Sequence, residues 1–192
     1  MTPFTAVTGR AYPLPLDNVD TDLIIPAAHL KTVTRSGLGR FAFQALRSEP
    51  GNPFDDPRFV GAPILLALAN FGCGSSREHA VWALADLGVR AVVAAGFSDI
   101  FAGNAYKNGI AAITLPPAAV HALIQAAEDH EITVDLERQL VSSGNGLAFP
   151  FAIDAFRRQS LLAGQDEIAL TLASDAAITA FEERQATLTA VA

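Results

Sequence analysis

The sequence predicts an α/β fold with a mixed sheet, in which β-hairpins stand beside a βαβ unit. Three observations carry this. Between residues 64 and 107 two short apolar runs alternate with two helical patterns, as parallel strands joined by right-handed crossovers do. Residues 132–153 hold three β-type runs around the turn Gly144-Asn145-Gly146, the pattern of an antiparallel meander. Of the 192 residues, 51% are hydrophobic and only 17% charged, which supplies a core and excludes a disordered chain. One domain is expected over residues 1–192, with a helical element at about 154–192.

In chain order, residues 4–26 alternate irregularly and carry Pro13, Pro15 and Pro26, so short extended segments broken by turns are expected. From residue 27 to about 58 the periodicity loosens. Ser36-Gly37-Leu38-Gly39 and Pro50-Gly51-Asn52-Pro53 bracket a short helix at 40–47, and a connection this long serves as a lid or a partner contact. Residues 64–69 read as a buried strand, 70–74 as a turn, and 76–87 as a helix with Ala80, Val81, Leu84 and Leu87 on one face. Gly88 suits the left-handed position that ends it. A second buried strand follows at 91–95, and a second helix at 99–107 that ends near Gly109. The next helix, at 116–128, faces inward through Val120, Leu123, Ile124 and Ala127. The meander occupies 132–136, 140–141 and 147–153. Asp154 and Asp175 are expected to cap two terminal helices separated by a strand at 168–172.

Charge and cysteine usage narrow the function. A net charge of −7 leaves no basic surface for nucleic acid, although a few gathered arginines could still bind a small anion. The single cysteine, Cys73, excludes an internal disulfide and a self-contained iron–sulfur or Cys-rich zinc site, which take about three or four thiolates. No metal site is assigned to the chain. Met1-Thr2-Pro3-Phe4 does not start like a signal peptide, and residues 60–71 are too short to span a bilayer. A reducing cytoplasm, away from the membrane, is the expected compartment.

The chemistry is expected in Asn70-Phe71-Gly72-Cys73-Gly74-Ser75-Ser76-Arg77-Glu78-His79, which joins a buried strand to a helix. Backbone N–H groups at a helix N-terminus favour an anion. Gly72 and Gly74 admit close approach of a ligand, Ser75 and Ser76 add hydroxyls, and Arg77 offers a planar fork matched to a carboxylate. The same residues have plainer roles. Ser75-x-x-Glu78 is a capping box. Cys73 fits a buried, inert thiol as well as a nucleophile. His79, four residues after Ser75, fits a surface or supporting position better than a general base.

Residues 70–80 of this turn resemble the strand–turn–helix of the aconitase superfamily swivel domain. Cys73 and the following Val81-Trp82-Ala83-Leu84 resemble the small subunits of 3-isopropylmalate dehydratases in particular. The resemblance extends through Asp17-Asn18-Val19-Asp20-Thr21-Asp22, Thr34-Arg35-Ser36-Gly37-Leu38-Gly39, Phe97-Ser98-Asp99-Ile100-Phe101 with Asn104, and Ile153-Asp154-Ala155-Phe156-Arg157-Arg158. It implies a three-layer β/β/α swivel domain. It also implies a hydro-lyase subunit of leucine biosynthesis, which removes and readds water to turn 2-isopropylmalate into 3-isopropylmalate. A [4Fe–4S] cluster in the large subunit would bind the hydroxyl, and this chain would complete the site in a heterodimer or heterotetramer. The small subunit of a related hydro-lyase, acting on homoaconitate or a methylmalate, is the alternative. A non-catalytic carboxylate-binding module is disfavoured by the intact Ser75-Ser76-Arg77.

The resemblance also distributes roles. Ser75 would be the base that takes a proton from the carbon beside a carboxylate. Arg77, with Ser76 and the Gly74 backbone, would bind that carboxylate. Asp22 falls at an active-site carboxylate, with an Asx-turn before Pro26 as its plainer role. Arg35 aligns with a substrate-binding arginine, and Arg40 is the fallback. Specificity would lie in residues 27–39, where Leu30 and Val33 offer apolar surface to an isopropyl group or pack into the domain's own core. A dicarboxylate requires a second cation besides Arg77.

Overall fold

A computed structural model describes residues 1–189; residues 190–192 of the expected C-terminal helical element lie outside the described residues. Strands β1 (Ala6–Gly9) and β2 (Ala11–Leu14) lead to helix α1 (Thr21–Ile24) and, through two short 3-10 turns, to α2 (Gln44–Arg47). Then come β3 (Ile64–Ala67), α3 (Glu78–Leu87), β4 (Ala91–Ala94), α4 (Asp99–Lys107), β5 (Ala111–Thr114) and α5 (Pro117–Ala127). The chain closes with β6 (Ile132–Asp135), β7 (Leu140–Ser143), β8 (Ala148–Pro150), α6 (Ala155–Ala163), α7 (Glu167–Ala173) and α8 (Asp175–Thr189).

Two sheets organise the molecule. Strands β2-β3-β4-β5 lie side by side in that order, all parallel, with Ile64 opposite Ala91 and Ala91 opposite Ala111. Every residue of β3 and β4 is fully buried, because both faces of this sheet are covered. Leu65, Ala67, Val92 and Ala94 face a core made with Ile24, Phe43, Ala80, Val81, Leu84 and Phe101. Ile64, Leu66, Ala91 and Val93 face a second core made with Val120, Leu123, Ile132, Val134 and Val141. The latter residues belong to α5 and to an antiparallel sheet of order β1-β6-β7-β8. The result is three layers, as the α/β swivel fold requires. The Gly144-Asn145-Gly146 turn closes β7 on β8, with the Gly146 N–H donating to the Ser143 carbonyl at 3.0 Å.

Three local readings are corrected. Residues 168–172 are not a strand but part of α7. Asp166 caps that helix by accepting the Ala169 N–H at 2.8 Å, and Ile168 and Leu172 then fall one turn apart and remain exposed. The alternation of Ile168, Leu170 and Leu172 imitates a strand in sequence alone. Asp175 is the first residue of α8 rather than a cap, whereas Asp154 caps α6 by accepting the Arg157 N–H. Finally, α3 starts at Glu78, two residues later than expected, and no side chain caps it. Among the described residues no helix is long and apolar enough to cross a membrane.

Candidate active site

The signature turn stands at the C-terminal ends of β3 and β4. Its first half continues the sheet: the Phe71 N–H donates to the Gly96 carbonyl at 2.9 Å and the Ser98 N–H to the Phe71 carbonyl at 3.0 Å. Phe71, Phe97 and Phe101 pack their rings beneath it. Gly72 then crosses directly over Phe101. It has φ +74°, and a Cβ there would stand 2.1 Å from the Phe101 ring, so both conformation and space demand glycine.

The second half of the turn is tied to α1. The Gly72 N–H donates to the Val19 carbonyl at 2.7 Å and the Thr21 N–H to the Cys73 carbonyl at 2.9 Å. The Thr21 hydroxyl donates to the Ser75 carbonyl at 3.0 Å. At 2% exposure Thr21 is the buried polar side chain among the described residues, and that bond satisfies it. Asp20 closes α1 by accepting the Leu23 N–H at 2.7 Å. This clamp brings Asp22 to Arg77, and the two side chains form an ion pair.

The structure therefore gathers Gly74, Ser75, Ser76 and Arg77 around one small cleft, which Thr21, Gly72, Ser98, Ile100, Phe101 and Asn104 also line, while Asp22 reaches it only through its ion pair with Arg77. The cleft encloses only ≈ 10 Å³, about the room of one water. Ser75 is exposed, and its hydroxyl makes no hydrogen bond to a described residue. The capping-box reading is overturned. Arg77, in extended backbone at φ −122°, holds the N-cap position, and the Glu78 carboxylate turns away to accept from the Trp82 indole at 3.3 Å and Asn108 at 3.0 Å. Cys73 is half-buried in a bridge to Asp20. Thr21, Ser98 and Asn104 were not foreseen as site residues. Thr21 could not be picked out from the sequence, because the carbonyl its hydroxyl meets lies 54 residues away.

The other expected residues stand elsewhere. The Arg35 guanidinium lies 5.2 Å over the Trp82 ring and borders a cavity with Arg90 and Lys107. Arg40 lies over Phe41. Leu30 is half-buried against the core, while Val33 is 92% exposed, so the two do not form one apolar surface. Among the described residues no group of three or more His, Cys, Asp or Glu is placed to hold a metal.

The aconitase C-terminal domain model matches residues 1–118, and the model for the C-terminal domain of the 3-isopropylmalate dehydratase small subunit matches residues 167–188. The small subunit of 3-isopropylmalate dehydratase from Erythrobacter litoralis is 55% identical over 98% of this chain and 94% of its own. The chain belongs to this family. A second 3-isopropylmalate dehydratase small subunit, from Novosphingobium aromaticivorans, is 53% identical over 96% of this chain and 91% of its own. The crystal structure of a 3-isopropylmalate dehydratase from Methanocaldococcus jannaschii is 25% identical with a TM-score of 0.70, and covers 92% of this chain and 99% of that one. As a 3-isopropylmalate dehydratase small subunit, the chain is part of a hydro-lyase of leucine biosynthesis. The aconitase C-terminal domain model spans the turn that lines the cleft.

Proposed function

We propose that this chain, as one swivel domain over residues 1–192, binds a carboxylate of 2-isopropylmalate and moves the proton beside it. Ser75 is the base, Arg77 the carboxylate ligand and Asp22 its counter-ion. The observation that supports this most is the convergence of Ser75, Ser76 and Arg77 on one cleft, with Asp22 paired to Arg77 and Thr21 fixing the Ser75 backbone. In this reading the Ser75 oxygen takes the proton from the carbon next to the carboxylate, and Arg77 stabilises the enolate-like charge that results. Loss of hydroxide from the neighbouring carbon then gives the alkene, and water readds the other way round, with hydroxide going to the carbon that lost the proton and the proton to the carbon that lost the hydroxyl.

Serine needs help to act this way. An alcohol ionises near water, far above neutral pH. A helix N-terminus contributes at most ~2 kcal/mol, about 1.5 pKa units, and its effect falls off within the first turn. Ser75 lies three residues before the first helical residue, Glu78, so it receives less than that. Arg77, exclusion of water and charges from outside the chain have to supply the remainder, which supports activity only in a heterodimer or heterotetramer with the large subunit. The small cleft supports the same conclusion, since a dicarboxylate needs more walls than this chain provides.

The lone thiol Cys73 does not fit a [4Fe–4S] cluster, which takes about three or four thiolates. The cluster therefore belongs to the large subunit, and the proton transfer at Ser75 involves none of its ligands. The second cation for the substrate is Arg35, carried by the segment that lies along α3. A cytoplasmic location fits the reduced thiol.

Reconstituting the pair and assaying it against a panel of malate derivatives tests this reading. The chain alone is expected to show no hydration or dehydration activity. The pair is expected to favour 2-isopropylmalate over methylmalate and homoaconitate. Equal turnover of all three would reassign the substrate, and activity of the chain alone would overturn the shared site.

A further inference from the structure

The outer face of α3 carries three side chains that the proton transfer does not use, and each of them holds the same segment. The His79 Nε2–H donates to the Thr32 carbonyl at 2.9 Å. The Arg35 guanidinium lies 5.2 Å over the Trp82 ring. The Asp86 carboxylate accepts the Gly39 N–H at 2.7 Å. Positions 79, 82 and 86 are spaced three and four residues apart, so they share one helix face. Trp82 is itself oriented, since its indole N–H reaches Glu78, whose carboxylate also accepts from Asn108 next to α4. At the far end of the segment Gly39 sits against the helix backbone. A Cβ there would stand 2.6 Å from the Leu87 nitrogen and 2.7 Å from the Asp86 carbonyl carbon. Leu38 beside it is 3% exposed. Between these anchors residues 33–37 are exposed.

The same helix has Arg77 at its N-cap. One rigid element therefore carries the reacting turn at its start and the seat of the segment bearing Arg35 along its outer face. We propose that His79, Trp82 and Asp86 are positioning residues that set where the 32–39 segment stands relative to Ser75 and Arg77. This rests on the assignment of substrate binding to that segment, and adds what places it. Asp86 is the firmest anchor, because a carboxylate accepting a backbone N–H makes a charge-assisted bond and Gly39 leaves no room for the segment to shift inward.

The test combines kinetics of the reconstituted enzyme with fluorescence of the full-length chain alone. Trp82 is the chain's one tryptophan, so its emission reads the seat without catalysis. Asp86→Leu should raise KM for 2-isopropylmalate about tenfold or more, as loss of a charge-assisted bond predicts, with kcat within about threefold. It should also move Trp82 emission towards that of Arg35→Ala. Asp86→Asn keeps an acceptor for the Gly39 N–H and should restore most of KM. A folded Asp86→Leu with unchanged KM, or with unchanged emission, overturns the proposal. Should that variant not fold, His79→Phe removes the donor to Thr32 and carries the same two readouts. If Arg35→Ala leaves KM unchanged while Asp86→Leu raises it, the recognition role passes to another residue of the segment and the seat stands. If Ser75→Ala retains turnover, the base assignment fails without touching either readout.

Discussion

Arg77 and Asp22 are joined by an ion pair that ties the start of α3 to α1 across 55 residues of sequence. The Asp22 side chain is 54% exposed and that of Arg77 20% exposed, so the pair meets solvent on the Asp22 side. The fork that a substrate carboxylate would use is already turned onto a carboxylate of the chain itself. If the proposed assignment holds, substrate binding has to displace or share that counter-ion, which would couple α1 to the turn.

Arg77→Lys should therefore separate catalysis from folding. An exposed pair contributes only ~0.2–1 kcal/mol, so the melting temperature should barely move. Lysine keeps the charge and loses the bidentate fork, and kcat of the reconstituted enzyme should fall by about 10²-fold. Thermal melts and steady-state kinetics on one preparation check both. A large loss of stability with normal kcat would make the pair structural.

Thr21→Val tests the clamp behind Ser75. The variant keeps the shape and loses the hydroxyl that donates to the Ser75 carbonyl. Stability should drop by about 1 kcal/mol, the worth of one hydrogen bond, and kcat should fall several-fold because the Ser75 backbone loses its tie. Thr21→Ser should recover both in urea denaturation and turnover assays.

Gly72→Ala should destabilise the chain by about 1–3 kcal/mol, since it combines φ +74° with a Cβ 2.1 Å from the Phe101 ring. Phe101→Ala leaves a cavity costing roughly 3–5 kcal/mol, but it also removes the obstruction. In a double-mutant cycle the pair should cost less than the sum of the singles. Additive losses would mean the turn avoids Phe101 by another route.

How far the sequence reveals this arrangement depends on whether the deciding contact is local. The strands at 64–67 and 91–94 were legible because both of their faces are apolar, and α4 was legible to the residue at Asp99–Lys107. The convergence of Asp22 on Arg77 followed from resemblance, not from spacing. The start of α3 was misread because Ser75-x-x-Glu78 has the form of a cap, while Glu78 is engaged by Trp82 and Asn108. The strand expected at 168–172 failed because the Asp166 cap outweighed a period-two alternation. The seating of residues 32–39 on α3 was invisible, since His79 and Asp86 each meet partners 47 residues earlier in the chain.

The chain's two tyrosines, Tyr12 and Tyr106, give a pH prediction. Burial pushes both phenols above the usual 10.0, against weaker pulls from a backbone N–H at Gly61 and from Arg157 respectively. The native state thus holds these protons where the unfolded chain releases them. The stability contributed is complete below pH 10 and is lost as pH rises above it through the native values. Absorbance of the folded chain at pH 10 should show less phenolate than the half-ionised level of exposed tyrosine. Half-ionisation there would contradict the burial of both rings.

The central claim is that Ser75 moves the proton, and Ser75→Ala in the reconstituted enzyme tests it most directly. The Ser75 side chain caps no helix and bonds to no described residue, so the variant should fold, assemble and bind substrate with little change. Its turnover of 2-isopropylmalate should fall by about 10²–10⁴-fold, the contribution of a positioned base. Near-normal turnover in a folded, assembled variant would contradict the account and leave the proton to a group of the large subunit.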